Sequence, residues 1–131
     1  MNEPIWIREN EALALHQMQI RLFGGSAGVR DAGLLASALA RPKNRFAYAE
    51  SSTTMHDLAA AYAYGISANH PFVDGNKRVA MHTAFLFLEF NGIRVTATQE
   101  DAYLTILALA AGDLNEEQLA AWFARNTAPR P

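Results

Sequence analysis

From Val79 to Phe90 the chain reads VAMHTAFLFLEF, apolar almost all the way round a helix. A helix of that kind must be covered on every side, so this one is expected at the centre of the fold. Asn91-Gly92 closes it, with Gly92 free to take a left-handed conformation. The neighbouring segments keep their apolar residues to one stripe. Asn10 caps a helix from Glu11 to about Phe23, whose buried stripe is Leu15, Met18 and Leu22 and whose end is Gly24-Gly25. Asp31 caps a short helix, Ala32 to Ala40, with Leu34, Leu35, Ala38 and Leu39 on its apolar face and Pro42 as its stop. Thr54-x-x-Asp57 is a capping box opening a helix to about Asn69, with Leu58, Ala61, Tyr62 and Gly65 along one side. Thr98-x-x-Asp101 opens another, with Tyr103, Ile106, Leu107 and Ala110 on one face. Asn115-x-x-Gln118 opens the last, with Leu119, Trp122 and Phe123 inward. Ile93 to Thr96 alternates as a short strand that would pair with Ile5 to Ile7, and Thr127 to Pro131 is expected to fray. The sum is an all-α protein: a mainly antiparallel bundle of about six helices with minor strand content.

Composition narrows the function. The 131 residues are expected to form one domain, 1–131, with half the positions hydrophobic and a net charge of −2. That charge offers no nucleic-acid-binding surface. The chain has no cysteine, which excludes disulfides and thiolate metal sites. MNEPIWIREN is not a signal peptide and no apolar run would span a bilayer, so a cytoplasmic protein with no membrane partner is expected.

The chemistry concentrates just before the central helix, in His70-Pro71-Phe72-Val73-Asp74-Gly75-Asn76-Lys77-Arg78. Pro71 biases His70 out of the helical region, so the preceding helix ends there. Asp74 or Gly75 is an N-cap for the next. A helix start presents free N–H groups and the positive end of the dipole. Lys77 and Arg78 add two cations to that turn, which calls for an anion, and phosphate is the natural candidate. Asp74 suits the magnesium that accompanies nucleotide phosphates, and His70 could take a proton from an attacking hydroxyl. Asp74, Arg78 and His82, spaced i, i+4, i+8, are expected on one face, so His82 either reaches toward the phosphate site behind these groups or is a buried, satisfied histidine. Arg30 and Asp31 could join the site or serve as a cap with a local ion pair. His56 reads as exposed, and Glu89 as solvent-facing or paired with Arg94. His16, His56, His70 and His82 form no i, i+4 pair with a carboxylate of metal-hydrolase type.

The nine-residue stretch resembles the Fic/Doc signature, H-x-F-x-(D/E)-G-N-(G/K)-R. Lys77 matches the Doc ("death on curing") branch. Fic nucleotidyltransferases usually carry glycine there and a second arginine three residues after the first, where this chain has Met81. GVRDAGLLASALARP also resembles the Doc branch. The resemblance implies a Fic-fold bundle and a toxin of a type II toxin–antitoxin system. The activity implied is an ATP-dependent kinase that phosphorylates a threonine of elongation factor Tu and arrests translation, with a Phd-like antitoxin as partner. It implies ATP and Mg2+ as cofactors, His70 as general base, Asp74 as metal ligand, Gly75 and Asn76 as phosphate-holding groups, and Lys77 and Arg78 as neutralising charges. By order along the chain, Arg41 to Thr53 corresponds to the flap that grips the target, with Lys43, Asn44 and Arg45 as contacts. Alternatives are AMP transfer to a protein hydroxyl, or a catalytically silent partner-binding module. Lys77 crowds the phosphate nest that glycine leaves open, which favours a pose with the γ-phosphorus facing His70. The Thr96 to Glu100 spacing, followed by Asp101, is not the inhibitory S/T-x-x-x-E-G/N motif, so inhibition is expected from a separate chain.

Overall fold

The computed structural model describes residues 2–131, in which six α-helices and a two-stranded sheet are formed. The helices are α1 (Glu9–Phe23), α2 (Ala32–Tyr48), α3 (Met55–Asn69), α4 (Asn76–Phe90), α5 (Gln99–Ala110) and α6 (Glu116–Arg125), and the strands are β1 (Ile93–Val95) and β2 (Thr127–Pro129). The all-α expectation holds. At the centre, α3 packs against α4, and α2 and α6 cover α3 while α1 and α5 cover α4. Every residue from Leu58 to Ala63 is buried, as are Val79, Ala80, Ala84, Phe87 and Leu88 of α4. The alanines of α3 set that closeness, since a helix poor in bulk lets its neighbours approach.

Several boundaries differ from the sequence pattern, each for a local reason. α1 starts at Glu9, because the Glu11 carboxylate accepts the Arg8 amide at 2.8 Å and sets the first turn earlier than an Asn10 cap would. Its buried face is Ala12, His16 and Gln19, while Met18 and Leu22 are 50% and 64% exposed. α2 does not stop at Ala40. Pro42 lies inside it and is buried, removing the amide that would have reached the Ala38 carbonyl. That carbonyl packs against Gly65 of α3, where an added Cβ would lie 3.3 Å from both Ala38 Cα and O. Burial of Leu35, Ala38, Leu39 and Phe46 carries the helix through the proline. Lys43, Asn44 and Arg45 are therefore helical and do not form an irregular flap.

β1 pairs antiparallel with β2, Arg94 opposite Ala128, so the tail is a strand and Ile5 to Ile7 is not. The N-terminal segment is held by side chains. The Asn91 amide donates to Ile5 O and accepts from Ile5 N (3.0 and 2.8 Å), and Tyr62 Oη accepts the Ile7 amide at 3.0 Å. Trp6 packs between Phe46 and Phe87. Glu89 pairs with Arg130 at 3.1 Å, not with Arg94, because the β2 strand carries Arg130 back to the end of α4. His56 is half-buried, its Nε2 3.0 Å from Thr127 Oγ1. In α5 the buried residues are Ala102, Thr105, Ile106 and Leu109, with Tyr103 54% exposed and Ala110 exposed. The face is fixed by Trp122, whose indole N–H donates to Asp101 at 3.1 Å.

Candidate active site

The polar turn lies between the end of α3 and the start of α4. His70 caps α3 with φ 48° and ψ 55°, the one non-glycine positive φ among the described residues. Such a conformation persists where surrounding contacts over-determine it. Here the contacts come from Arg30. Its Nε donates to His70 O at 2.7 Å and its Nη2 to Asn69 O at 2.8 Å. The Arg30 and Asp31 amides both donate to Pro71 O. Arg30 thus acts on the backbone carrying His70, with its charge at the favourable C-terminal end of α3. Asp31 caps α2 by accepting the Leu34 amide at 3.0 Å. The His70 residue is left exposed.

Beyond Pro71 the turn is clamped. Phe72 is fully buried, and the Asn76 side chain both accepts from its N–H and donates to its carbonyl, each at 3.0 Å. Asn76 is itself 9% exposed. Its side chain thus grips the loop. The Val73 amide donates to Gly28 O at 3.0 Å and Val29 bridges Phe72 antiparallel. The segment paired strand-like with the motif is the glycine-bearing loop between α1 and α2.

Asp74 is exposed, and its carboxylate accepts the Gly75 amide through Oδ1 (2.9 Å) and the Ser26 amide through Oδ2 (3.2 Å). Gly75 is the N-cap of α4 with φ 77°, and no side chain caps that helix. Lys77 and Arg78 project from its first turn, exposed. Free N–H groups, dipole and two cations converge there, a ready anion site. Asp74 does not share a face with Arg78 and His82, because it precedes the helix and turns to Ser26. Arg78 lies over the Phe23 ring at 4.1 Å and, with His82, lines a groove of about 470 Å3 between α1, α4 and α5. Met18, Leu22, Phe23, Met81, Phe85 and Tyr103 give that groove its apolar wall. His82 is half-buried, and burial, then the Arg78 charge, lower its pKa and favour the neutral imidazole.

No group of three or more His, Cys, Asp or Glu side chains is placed to hold a metal among the described residues. A single exposed carboxylate with unshared lone pairs still suits Mg2+, which takes one or two carboxylates and completes its shell with water and substrate phosphates. Lys43, Asn44 and Arg45 lie apart on α2. There Arg45 pairs with Glu116 (3.2 Å) and Asp57 (3.5 Å), and Asn44 and Arg45 line a depression of about 950 Å3 along α2, α3 and α6.

One residue escaped the sequence pattern. His16, 3% exposed on α1, stacks on Phe72 with ring centroids 4.1 Å apart and planes 9° from parallel, and its Nε2 lies 2.9 Å from Asp74 O. The only sequence signal was a polar position spaced i+4 from Ala12 and i−3 from Gln19, opposite the apparent apolar stripe.

Comparison with known proteins shows the family of the chain. The model of the Fic/DOC family matches residues 6–88. The Protein kinase doc of Escherichia phage P1 is 36% identical over 114 residues, 87% of this chain and 89% of that protein. The Toxin Doc of Mycolicibacterium smegmatis is 43% identical over 75 residues, 57% of this chain and 58% of that protein. With signature, helical fold and relatives in agreement, the chain belongs to the Fic/Doc family and stands with its Doc branch.

Proposed function

We propose that the protein is the toxin of a type II toxin–antitoxin pair, a kinase that transfers the γ-phosphoryl group of ATP to a threonine of elongation factor Tu. The observation that carries this reading is the placement of exposed His70 on a braced left-handed corner beside Asp74 and the uncapped, cationic start of α4. The two relatives, one named a protein kinase and one a toxin, support it.

His70 accepts the proton of the attacking hydroxyl as the new oxygen–phosphorus bond forms and the bond to the departing ADP oxygen breaks. The N–H groups of Asn76, Lys77 and Arg78, with the two side-chain cations, stabilise the charge that shifts toward the leaving group. Asp74 would hold Mg2+, which neutralises phosphate charge and helps align the phosphates. Gly75 allows the backbone turn that points these donors outward. The bridged segments 28–29 and 72–73 offer a backbone edge for an extended target segment. The apolar groove at Arg78 suits an antitoxin helix laid across α1, α4 and α5.

The test is a labelling assay with purified protein, Mg2+ and elongation factor Tu, run in parallel with ATP labelled at the α and γ phosphates. Transfer of γ label alone, abolished in His70→Ala, is the expected result. Transfer of α label would make the protein an AMP transferase and overturn the pose argued from Lys77. Absence of both labels, with toxicity surviving His70→Ala, would identify a binding module.

A further inference from the structure

We propose that His16 is a positioning residue for the catalytic turn, setting the Asp74 carboxylate from α1; its consequence for metal use rests on the kinase reading above. The motif does not contain this histidine, which lies 58 residues before Asp74.

The turn from Phe72 to Asn76 is held from two sides. From within the motif, Asn76 fixes both polar groups of the Phe72 backbone. That clamp stops short of the Asp74 carbonyl, which it leaves to be held from elsewhere. His16 reaches that carbonyl at 2.9 Å, which requires the proton on Nε2, since a carbonyl only accepts. The same ring lies flat on Phe72 at 4.1 Å, so stacking fixes its plane and the hydrogen bond fixes its rotation. The ring is 3% exposed, which keeps water from competing for the carbonyl.

On the other side, the Ser26 amide holds Asp74 Oδ2, and Gly25 comes so near that an added Cβ would lie 2.7 Å from that oxygen. Ser26 lies three residues beyond the end of α1, the helix that carries His16. The helix and the loop after it thus grip the residue together, by backbone through His16 and by side chain through Ser26. Gly75 completes the fit, because a Cβ there would meet Ile20 Cδ1 at 3.4 Å and the His16 ring at 3.9 Å. Both chemical properties of the side chain are used, the flat ring and the N–H. Phenylalanine would keep only the first and glutamine only the second.

The experiment compares wild type, His16→Phe and His16→Gln in the full chain by two readouts. The first, independent of activity, is the amide NMR signals of Ser26 and Gly75, whose N–H groups report the Asp74 carboxylate. The second is the Mg2+ dependence of phosphoryl transfer. In His16→Phe both amide signals should move, and half-saturating Mg2+ should rise about tenfold with the maximal rate largely recovered at high Mg2+, the scale usual for loss of a group that orients a metal ligand. His16→Gln should restore most of that Mg2+ dependence even where its melting temperature is the lower of the two. The proposal is overturned if His16→Phe leaves the two amides and the Mg2+ dependence unchanged. It is equally overturned if both variants lose activity only in proportion to their stability. Should the wild type transfer no phosphate, the kinase reading fails by itself, and the amide signals alone decide the role of His16.

Discussion

Asn76 separates two accounts of the motif. As a phosphate ligand its loss would lower activity and leave stability nearly intact. In the structure its side chain accepts from Phe72 N–H and donates to Phe72 O, both at 3.0 Å, at a residue with no solvent exposure. Asn76→Ala strands one buried donor and one buried acceptor, and each costs about 1–3 kcal/mol where water cannot replace the lost partner. The two groups belong to one residue and share their relaxation, so the combined cost is put at about 2–4 kcal/mol. For a chain of this length that is a fall in melting temperature of roughly 10 °C. Asn76→Asp should be no better, since the carboxylate keeps the acceptor for Phe72 N–H but sets a charged oxygen against Phe72 O. The assay is urea denaturation followed by circular dichroism, on a His70→Ala background so that toxicity does not limit expression. A loss below about 0.5 kcal/mol for Asn76→Ala would refute the clamp and return the side chain to the phosphate.

Gly25→Ala places a methyl 2.7 Å from Asp74 Oδ2 at φ 109°, whereas Gly24→Ala, at φ 83°, meets nothing within 4 Å. Both should lose about 1–2 kcal/mol of stability to backbone strain, but only Gly25→Ala should also impair Mg2+-dependent activity; equal kinetics in the two would contradict the contact. Tyr62→Phe removes the acceptor of the buried Ile7 amide and should cost about 1–3 kcal/mol by denaturant titration. Burial, more than the opposing hydrogen bond from Ile7, raises the Tyr62 pKa to about 12, so one of the four tyrosines should stay un-ionised in an absorbance titration until the fold gives way. His82 has its pKa lowered, so the unfolded chain takes up the proton first. Stability should therefore fall as pH drops from about 6.5 toward the folded-state value. His82→Gln should flatten that slope in urea midpoints measured between neutral and mildly acid pH, and an unchanged slope would locate the effect elsewhere.

Sequence alone determined what depends on neighbours in the chain. The caps Asp31, Thr54, Thr98 and Asn115 are where their side chains can reach the third residue on, and all four do so. The all-round apolar run of α4 marked the centre, since nothing but burial satisfies it. The motif marked the chemistry because nine consecutive residues carry it. What depends on partners distant in the chain was decided by the tertiary structure. Pro42 looked like a stop because its missing amide is a local defect, yet packing against Gly65 outweighed that loss. Met18 and Leu22 looked buried and His16 was no part of the stripe, because the pattern of α1 shows periodicity but not which side meets α4. The tail became a strand only because Ile93–Val95 offered an edge about 30 residues away. Most of all, the roles inside the motif were set by geometry. The sequence supplied Asn76, Arg30 and Asp74 as chemical groups, but their partners Phe72, His70 and His16 followed from how the turn closes against α1 and the loop after it. Composition and spacing state which atoms are available; only the folded backbone states which of them are already engaged and which remain free to meet a substrate.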